Sequence, residues 1–343
     1  MPHHFGRPSD GSNRLASLID EAGRMRAFMP PFRFTSFFSP EDTLLCMIAS
    51  EAALAHARNT HRENGRPVDP LRMVELTTGS GLVGMHLLRL EHGSTLLGLD
   101  VDRESVETAR KNARQLALSS RAQFECADLW SDETRDTLGR FRPHMMICNP
   151  PYIPEPHDRS LEIEAGSGPD GTAHLRRAIE LAAEAQSRAL ALSWCSVSDP
   201  AGIVRAAEKS GFFLNSLFIV AIADGEYSGS VHSYLRTLDT AFINEDRQTI
   251  GIVAPDGAAR FAYLLMAGDF SRDARPYSDA AGAVERICRE FSESGTGALE
   301  FPLAPIPVRA WLLDRWDEVR LRAYLHGDIE ARRPASMITG LQG

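Results

Sequence analysis

The sequence lacks the features that would place the chain in a membrane or around a structural metal. It has no apolar run near the 18 residues that a membrane-spanning helix needs, and its N-terminus does not resemble a signal peptide. Its five cysteines are scattered and odd in number, with neither a CxxC pair nor a Cys/His ligand spacing. We therefore expect a cytoplasmic protein in a reducing compartment, with no metal site.

The chain also lacks an excess of basic residues. Lysine and arginine total 37 against 46 aspartate and glutamate residues, which gives a formal net charge of −9. Because proteins that bind nucleic acid usually present a basic face to the phosphates, this balance argues against a nucleic-acid partner. The length of 343 residues and a hydrophobic content of 43% suit one large globular domain plus an appendage, or two domains.

Short apolar runs that predict strands alternate with segments that predict helices from residue 71 onward. Predicted strands lie at 73–76, 95–99, 144–148, 189–194, 212–222 and 263–266, with another around Phe124 and Cys126. This alternation predicts an α/β fold with a doubly wound, mostly parallel, seven-stranded sheet. Ligands of such sheets bind at the carboxyl ends of the strands.

Segments of different composition flank this core. Residues 1–60 are expected to form an N-terminal helical or lid segment, with a helix from about 41 to 58 that starts at Ser39-Pro40-Glu41-Asp42-Thr43. The lid hypothesis rests on five phenylalanines, at positions 28, 32, 34, 37 and 38.

The rest of the chain divides into two further parts. Residues 61–270 form the predicted ligand-binding domain, with an insertion at 224–259, and residues 271–343 form a C-terminal extension. In this extension the pattern predicts an amphipathic helix at 280–291 and a tryptophan-bearing helix near 308–325.

A glycine-rich turn follows the first predicted strand. Gly79, Gly81 and Gly84 would let a ligand approach the backbone, and Asp100, at the end of the next strand, is placed to accept both hydroxyls of a ribose. The glycines could also merely close a tight turn. Because Gly79–Gly84 fits the dinucleotide fingerprint as well, the turn alone does not distinguish a nicotinamide or flavin cofactor from another adenosyl cofactor.

The tetrapeptide Asn149-Pro150-Pro151-Tyr152 is the most informative motif of the chain. Two consecutive prolines end the preceding strand in a stiff bend, because neither has a backbone N–H. The Asn149 side chain and the Pro150 carbonyl offer two adjacent acceptors, which suit a nitrogen with two N–H donors, and Tyr152 can pack on a flat substrate. Asp128, after the third strand, can accept from an adenine amino group, although by itself it is better explained as a loop residue or a helix cap.

In this order the motifs resemble those of class I S-adenosylmethionine methyltransferases that modify amino nitrogens, and most closely the release-factor glutamine N5-methyltransferase branch. The resemblance covers roughly residues 35–225 and includes Gly168-Pro169-Asp170-Gly171. It implies a Rossmann-like methyltransferase fold, S-adenosylmethionine as the cofactor and N-methylation as the reaction. The implied catalytic residues are Asn149, Pro150 and Tyr152. The implied cofactor-binding residues are Glu75, Thr77, Gly79, Gly81, Asp100, Val101, Asp128, Leu129 and Asn149.

Two departures from the family leave the acceptor open. Thr77 stands where the family usually has a glycine, which keeps open a non-methylating reaction of the same cofactor. Only some 25–40 residues precede the core, where the family has a helical substrate domain. We expect a small metabolite or a protein side chain as the acceptor, and the apolar tail as a candidate homodimer element. The alternatives are a nucleic-acid amino group and a nicotinamide-dependent oxidoreductase, which would leave Asn149–Tyr152 without a role.

Overall fold

A computed structural model of the chain describes residues 15, 17–25, 39–63, 70–246, 260–273, 276–299, 305–313, 319–321 and 323. The phenylalanines of the predicted lid and residues 247–259 of the predicted insertion lie outside these described residues. Within the described ranges, no helix combines the length and the apolar character needed to cross a bilayer. The same ranges hold no group of three or more His, Cys, Asp and Glu side chains that could bind a metal ion.

A single mostly parallel sheet runs through the described chain. Its strands are β1 Arg72–Leu76, β2 Thr95–Asp100, β3 Ala122–Cys126, β4 Met145–Cys148, β5 Ala189–Cys195, β6 Phe213–Ala223, β7 Ala262–Ser271 and β8 Val308–Leu312. Their spatial order is β3-β2-β1-β4-β5-β7-β6-β8, and β7 runs antiparallel to both of its neighbours. This confirms the predicted doubly wound α/β sheet, with eight described strands where seven were expected.

The strand order reverses between β1 and β4. From β1 the chain proceeds outward to β2 and β3, and it then returns to the other side of β1 with β4. In open α/β sheets a crevice forms at such a point, outside the carboxyl ends of the strands. Because Leu76 lies opposite Cys148 in the register of β1 and β4, the glycine turn and the Asn-Pro-Pro-Tyr motif begin side by side.

Helices cover both faces of the sheet. They are α1 Leu18–Met25, α2 Pro40–Glu63, α3 Leu82–Leu90, α4 Arg103–Gln115, α5 Asp132–Phe141, α6 Ala173–Glu184, α7 Pro200–Lys209, α8 Glu226–Ser230, α9 His232–Leu235 and α10 Ala280–Ser294. One apolar cluster includes buried residues of α1 to α4, and a second includes those of α5, α6, α7 and α10. Strands between two such layers are mostly apolar and buried along their whole length, as β5 shows.

The start of α2 follows the sequence prediction closely. Pro40 suits the first helical turn, and the acidic side chains of Glu41 and Asp42 favour the positive end of the helix dipole. Ser39 caps this turn, since its hydroxyl accepts a hydrogen bond from the Asp42 N–H at 3.4 Å. The helix continues to Glu63, five residues beyond the predicted end.

Two histidine–carboxylate pairs fasten α2 to its surroundings. His56 Nδ1 lies 2.5 Å from Oδ2 of Asp269, whose side chain on β7 is fully buried. Glu51 Oε1 lies 2.6 Å from Nε2 of His86, which belongs to α3. These contacts, together with the packing of α2 on β5, β6 and β7, hold the helix across the middle of the sheet.

The predicted helix near 308–325 is wrong at its start. Val308–Leu312 forms strand β8, which pairs in parallel with β6. Trp311 is buried and stacks on Phe218 with 6.3 Å between ring centroids. Pro307 immediately precedes the strand, and the open edge of β6 supplies backbone partners that a local pattern does not reveal. The amphipathic helix predicted at 280–291 is confirmed as α10.

Candidate active site

A cavity of about 1110 Å³ opens at the carboxyl ends of β1, β2 and β4. The structure brings nearly all of the sequence-predicted site residues to its wall. These are Glu75, Thr77, Gly79, Asp100, Val101, Asp128, Leu129, Asn149, Pro150 and Tyr152. Gly81 is the exception among the predicted residues, because it lies behind the turn rather than along the cavity.

Gly79 and Gly81 have different roles in the turn. Gly81 has a φ of +78°, and a Cβ there would lie 2.7 Å from Met85 Cε and 3.0 Å from the ring of Phe124. It therefore lets the turn pack tightly against its own helix and the sheet. Gly79 has a φ of +51° with open space where a Cβ would stand, so a ligand can approach its backbone.

Asp100 is held in a fixed orientation by two backbone N–H groups. Gly79 N–H donates to Oδ2 at 2.8 Å, and Asp102 N–H donates to Oδ1 at 2.9 Å. Burial raises the pKa of Asp100, and these hydrogen bonds oppose the rise. Each carboxylate oxygen keeps acceptor capacity for a hydroxyl group, as the sequence prediction of a ribose ligand requires.

Glu75 is a buried carboxyl group at the end of β1. The Thr78 hydroxyl donates to its Oε2 at 2.7 Å. Burial raises the pKa of Glu75 to about 7, a rise that Thr78 and the Gly84 N–H oppose and that nearby Asp100 increases. A ligand with an ammonium group would offset this desolvation, which fits the predicted role of Glu75 in binding S-adenosylmethionine, whose methionine part carries such a group.

Thr77, the residue that departs from the family pattern, connects two strand ends. Its φ is 50°, a conformation that glycine adopts more readily. Its Oγ1 lies 2.6 Å from the Leu76 carbonyl oxygen and 3.1 Å from the Asn149 carbonyl oxygen, to which it donates. The hydroxyl thus links the glycine turn to the Asn-Pro-Pro-Tyr motif.

Residues around Asp128 form the far end of the cavity. Asp128 is exposed, and its Oδ1 accepts the Trp130 N–H at 2.9 Å, while Leu129 is buried beside it. The Trp130 ring is 52% exposed and meets the edge of His174, with 4.7 Å between centroids. Both rings line the cavity, so this edge-to-face pair supplies aromatic surface for a ligand that sequence reasoning missed. Burial lowers the pKa of His174.

Asn149 presents the most distinctive atom of the site. Its side-chain oxygen is buried and has no hydrogen-bond partner within the part of the chain that the structure describes. Buried amide oxygens are almost always paired in folded proteins. An unpaired one on a cavity wall marks the position where a donor from a ligand is expected.

Tyr152 and Asp42 meet on the same wall. The Tyr152 hydroxyl donates to Asp42 Oδ2 at 2.9 Å, across 110 positions of sequence. Asp42 is 5% exposed, and burial raises its pKa to about 7. The Tyr152 hydrogen bond and the nearby Asn149 side chain oppose this rise in pKa, whereas the negative charge of Glu41 adds to it. Sequence reasoning assigned Asp42 only to a helix start. No local pattern links this residue to Tyr152, which lies 110 positions further along the chain.

Comparison with known proteins agrees with this geometry. Residues 66–165 match the family model of the methyltransferase small domain. This stretch is thus similar to the methyltransferase small domain. It contains the glycine turn, Asp100 and the Asn-Pro-Pro-Tyr motif, so the predicted methyltransferase family, with S-adenosylmethionine as cofactor, is confirmed.

Similar curated proteins share this domain over part of their length. The release factor glutamine methyltransferase of Chlorobaculum tepidum is 31% identical over 130 residues, which is 37% of this chain and 44% of that protein. The proteins of the same name from Rhodospirillum rubrum and Bradyrhizobium diazoefficiens are 38% and 31% identical, over 27% and 45% of this chain. The matches span 27% and 51% of those two proteins, so this chain covers about half of its relatives or less.

The residues of the methyltransferase small domain fit an S-adenosylmethionine molecule. Glu75 supplies a buried carboxylate for an ammonium group, and Asp100 supplies oriented acceptors for ribose hydroxyls. Gly79 leaves room for close backbone approach. No feature of this wall favours the nicotinamide alternative, which gives Asn149 no function.

Proposed function

We propose that the protein is an S-adenosylmethionine-dependent N-methyltransferase that acts on an amide or amino nitrogen. The observation that carries this proposal is the unpaired, buried side-chain oxygen of Asn149 on the cavity wall. The acceptor belongs to a protein side chain or a small metabolite, and the acidic cavity wall gives no support to a nucleic-acid acceptor.

The chemistry assigned to these residues is positioning with electrostatic help. The bound cofactor supplies an electrophilic methyl group on a sulfonium centre. The Asn149 side-chain oxygen and the Pro150 carbonyl accept hydrogen bonds from the acceptor nitrogen, which fixes its lone pair in direction and stabilises the positive charge that develops. Thr77 holds the Asn149 backbone through its 3.1 Å hydrogen bond, so the motif keeps its place relative to the glycine turn.

The test is transfer of a labelled methyl group into a cell extract separated into protein, nucleic-acid and small-molecule fractions. Asn149→Ala is expected to abolish incorporation while the cofactor affinity, measured by calorimetry, stays within a few-fold. Gln123→Ala, which removes an exposed amide on β3, is the matched control and keeps full activity. Undiminished incorporation by Asn149→Ala would refute the assignment.

The same experiment addresses the other reactions. Incubation with the cofactor alone, followed by mass spectrometry, tests for a non-methylating reaction, because such a reaction would form a product from the cofactor when no acceptor is present. Label in the nucleic-acid fraction, together with strongly salt-dependent binding to DNA or RNA, would replace the proposed acceptor class.

A further inference from the structure

The cavity wall that α2, the segment after Asn149 and α8 contribute carries carboxylates and aromatic rings. Asp42, Glu164 and Glu226 supply carboxyl groups, and Tyr152 and Tyr227 supply rings. Among the described residues that line the whole cavity there is no lysine and no arginine. This composition attracts cations through both charge and the faces of aromatic rings.

Asp42 differs from the other carboxylates of this wall in its surroundings. Asp224 already pairs with Arg260, whose Nε lies 3.1 Å from its Oδ2, and Glu164 accepts the Tyr227 hydroxyl at 2.8 Å. Asp42 is 5% exposed, and the Tyr152 hydroxyl donates to its Oδ2 at 2.9 Å. The Asn149 side chain lies close enough to lower its pKa, but Oδ1 accepts no hydrogen bond of normal geometry from the described residues. No described lysine, arginine or histidine forms an ion pair with it. The wall therefore contains a buried carboxyl oxygen, next to Tyr152, that a ligand can engage.

The ionisable groups around Asp42 are mostly thiols and phenols that stay neutral near pH 7. They are Cys46 on α2, Tyr152 in the motif, Cys195 on β5 and Tyr263 on β7, and burial raises the pKa of each. Glu41 on the same helix is the acidic neighbour, and it raises the pKa of Asp42. Its negative potential favours a cation or a proton at Asp42.

We propose, building on the N-methyl transfer proposed above, that the acceptor is an aliphatic amine that enters as an ammonium ion, and that Asp42 binds it and takes up its proton. A neutral amide nitrogen needs no such group, because it has no proton to lose before its lone pair is aimed at the methyl. An ammonium nitrogen has no lone pair until one N–H proton has left.

The reaction balances without a further reactant. One proton of the ammonium group moves to the Asp42 carboxylate, and the freed lone pair on nitrogen forms the new N–C bond. The C–S bond of the cofactor breaks at the same time and leaves its electron pair on sulfur. The product is a methylated ammonium ion, and Asp42 then returns its proton to water. Burial raises the pKa of Asp42 to about 7, which suits a base that works near neutral pH.

The acceptor class is tested with three peptide and amine probes. Wild-type enzyme and labelled cofactor are incubated with 1,4-diaminobutane, with a lysine-containing peptide, and with the same peptide carrying glutamine in place of lysine. In parallel, labelled products from a cell extract are identified by mass spectrometry. N-methylated aliphatic amines are expected, and the first two probes separate a free amine from a protein side chain.

The outcomes separate this inference from the proposed function. Label only on glutamine amides or aromatic amines overturns the aliphatic-amine acceptor but leaves N-methyl transfer intact. Label only on oxygen or sulfur, or no transfer at all by an enzyme that binds the cofactor, overturns both.

The role of Asp42 is tested by the pH profile of kcat/KM. In the wild type, this constant is expected to rise up to about pH 7 and stay level until the amine loses its own proton near pH 10. Asp42→Asn can use only the free amine, so its kcat/KM should rise about tenfold per pH unit over the same range and be at least 100-fold lower at pH 7.5. Cofactor affinity should stay within a few-fold, and Asp158→Asn, at an exposed position outside the cavity, should match the wild type.

A level profile for Asp42→Asn would overturn the proposal. If that variant does not fold, Tyr152→Phe provides a second measurement. The Tyr152 hydrogen bond lowers the pKa of Asp42, so its removal should move the rising limb to higher pH. An unmoved limb in a folded Tyr152→Phe enzyme would equally overturn the role of Asp42.

Discussion

Replacing Glu75 by glutamine should stabilise the ligand-free protein at pH 8 while weakening cofactor binding. Burial raises the pKa of Glu75 from its ordinary value of 4.5 to about 7. The folded state therefore holds this proton more tightly than the unfolded chain does. Its contribution to stability is fully present below about pH 4.5 and is lost as the pH rises to about 7.

The size of the effect follows from the pKa rise. At about 1.4 kcal/mol per pKa unit, ionisation of Glu75 lowers the free energy of unfolding by about 3 kcal/mol above pH 7. Glutamine avoids this loss, but either Thr78 or the Gly84 N–H loses an acceptor, which costs about 1–2 kcal/mol. The variant should therefore be about 1–2 kcal/mol more stable than the wild type at pH 8, and about 1–2 kcal/mol less stable at pH 4.5, where Glu75 is protonated in the folded state.

Urea unfolding at both pH values, and calorimetric titration with S-adenosylmethionine, measure the two effects. Loss of a charge-assisted contact with the cofactor's ammonium group should weaken binding about 10- to 100-fold. Glu125→Gln removes an exposed carboxylate on β3 and serves as the control. Equal destabilisation at both pH values, or unchanged cofactor affinity, would refute the reasoning.

Two further predictions concern stability. Gly81→Ala should destabilise the fold by about 1–3 kcal/mol, because Gly81 has a φ of +78° and the Met85 side chain lies close to it. Gly139→Ala, with open space on the exposed face of α5, should instead stabilise the fold by about 0.5–1 kcal/mol. Urea unfolding measures both changes, and equal shifts would contradict this reasoning. His56→Ala leaves the buried Asp269 carboxylate without its partner and should lower the thermal unfolding temperature. Asp269 raises the pKa of His56 above its ordinary value of 6.5. The drop in unfolding temperature should therefore be largest below pH 6.5 and shrink as the pH rises through the raised pKa of His56 in the folded state. Melting curves from pH 5.5 to 9 measure this, and a drop that does not change with pH would argue against the ion pair.

Local sequence patterns predicted the fold and the cofactor half of the site. β1, β2 and β4 are short apolar runs, and the residues at their carboxyl ends meet because parallel strands place those ends at one edge. Asp100 and Asn149 could therefore be placed without coordinates. Gly81 was predicted to bind the cofactor because the sequence alone does not distinguish a glycine needed for packing from one needed for ligand binding.

Features that depend on distant contacts were missed. Asp42 and Tyr152 are 110 positions apart, and only the crossing of α2 over the sheet brings them together. β8 exists because the edge of β6 is open, which a window around Val308 does not show. The helix α5 also went unpredicted, because its sequence is mostly polar and only Thr134 and Leu138 are buried.

The position of α2 means that two separate stretches of sequence contribute to the cavity wall. The residues predicted to bind the adenosyl group lie within residues 66–165, whereas the Asp42 carboxyl group belongs to a helix that begins at Pro40, outside that segment. If Asp42 selects the acceptor as proposed, exchange of the first turn of α2 should change the acceptor and leave cofactor binding intact, so this turn is the place to engineer a new preference.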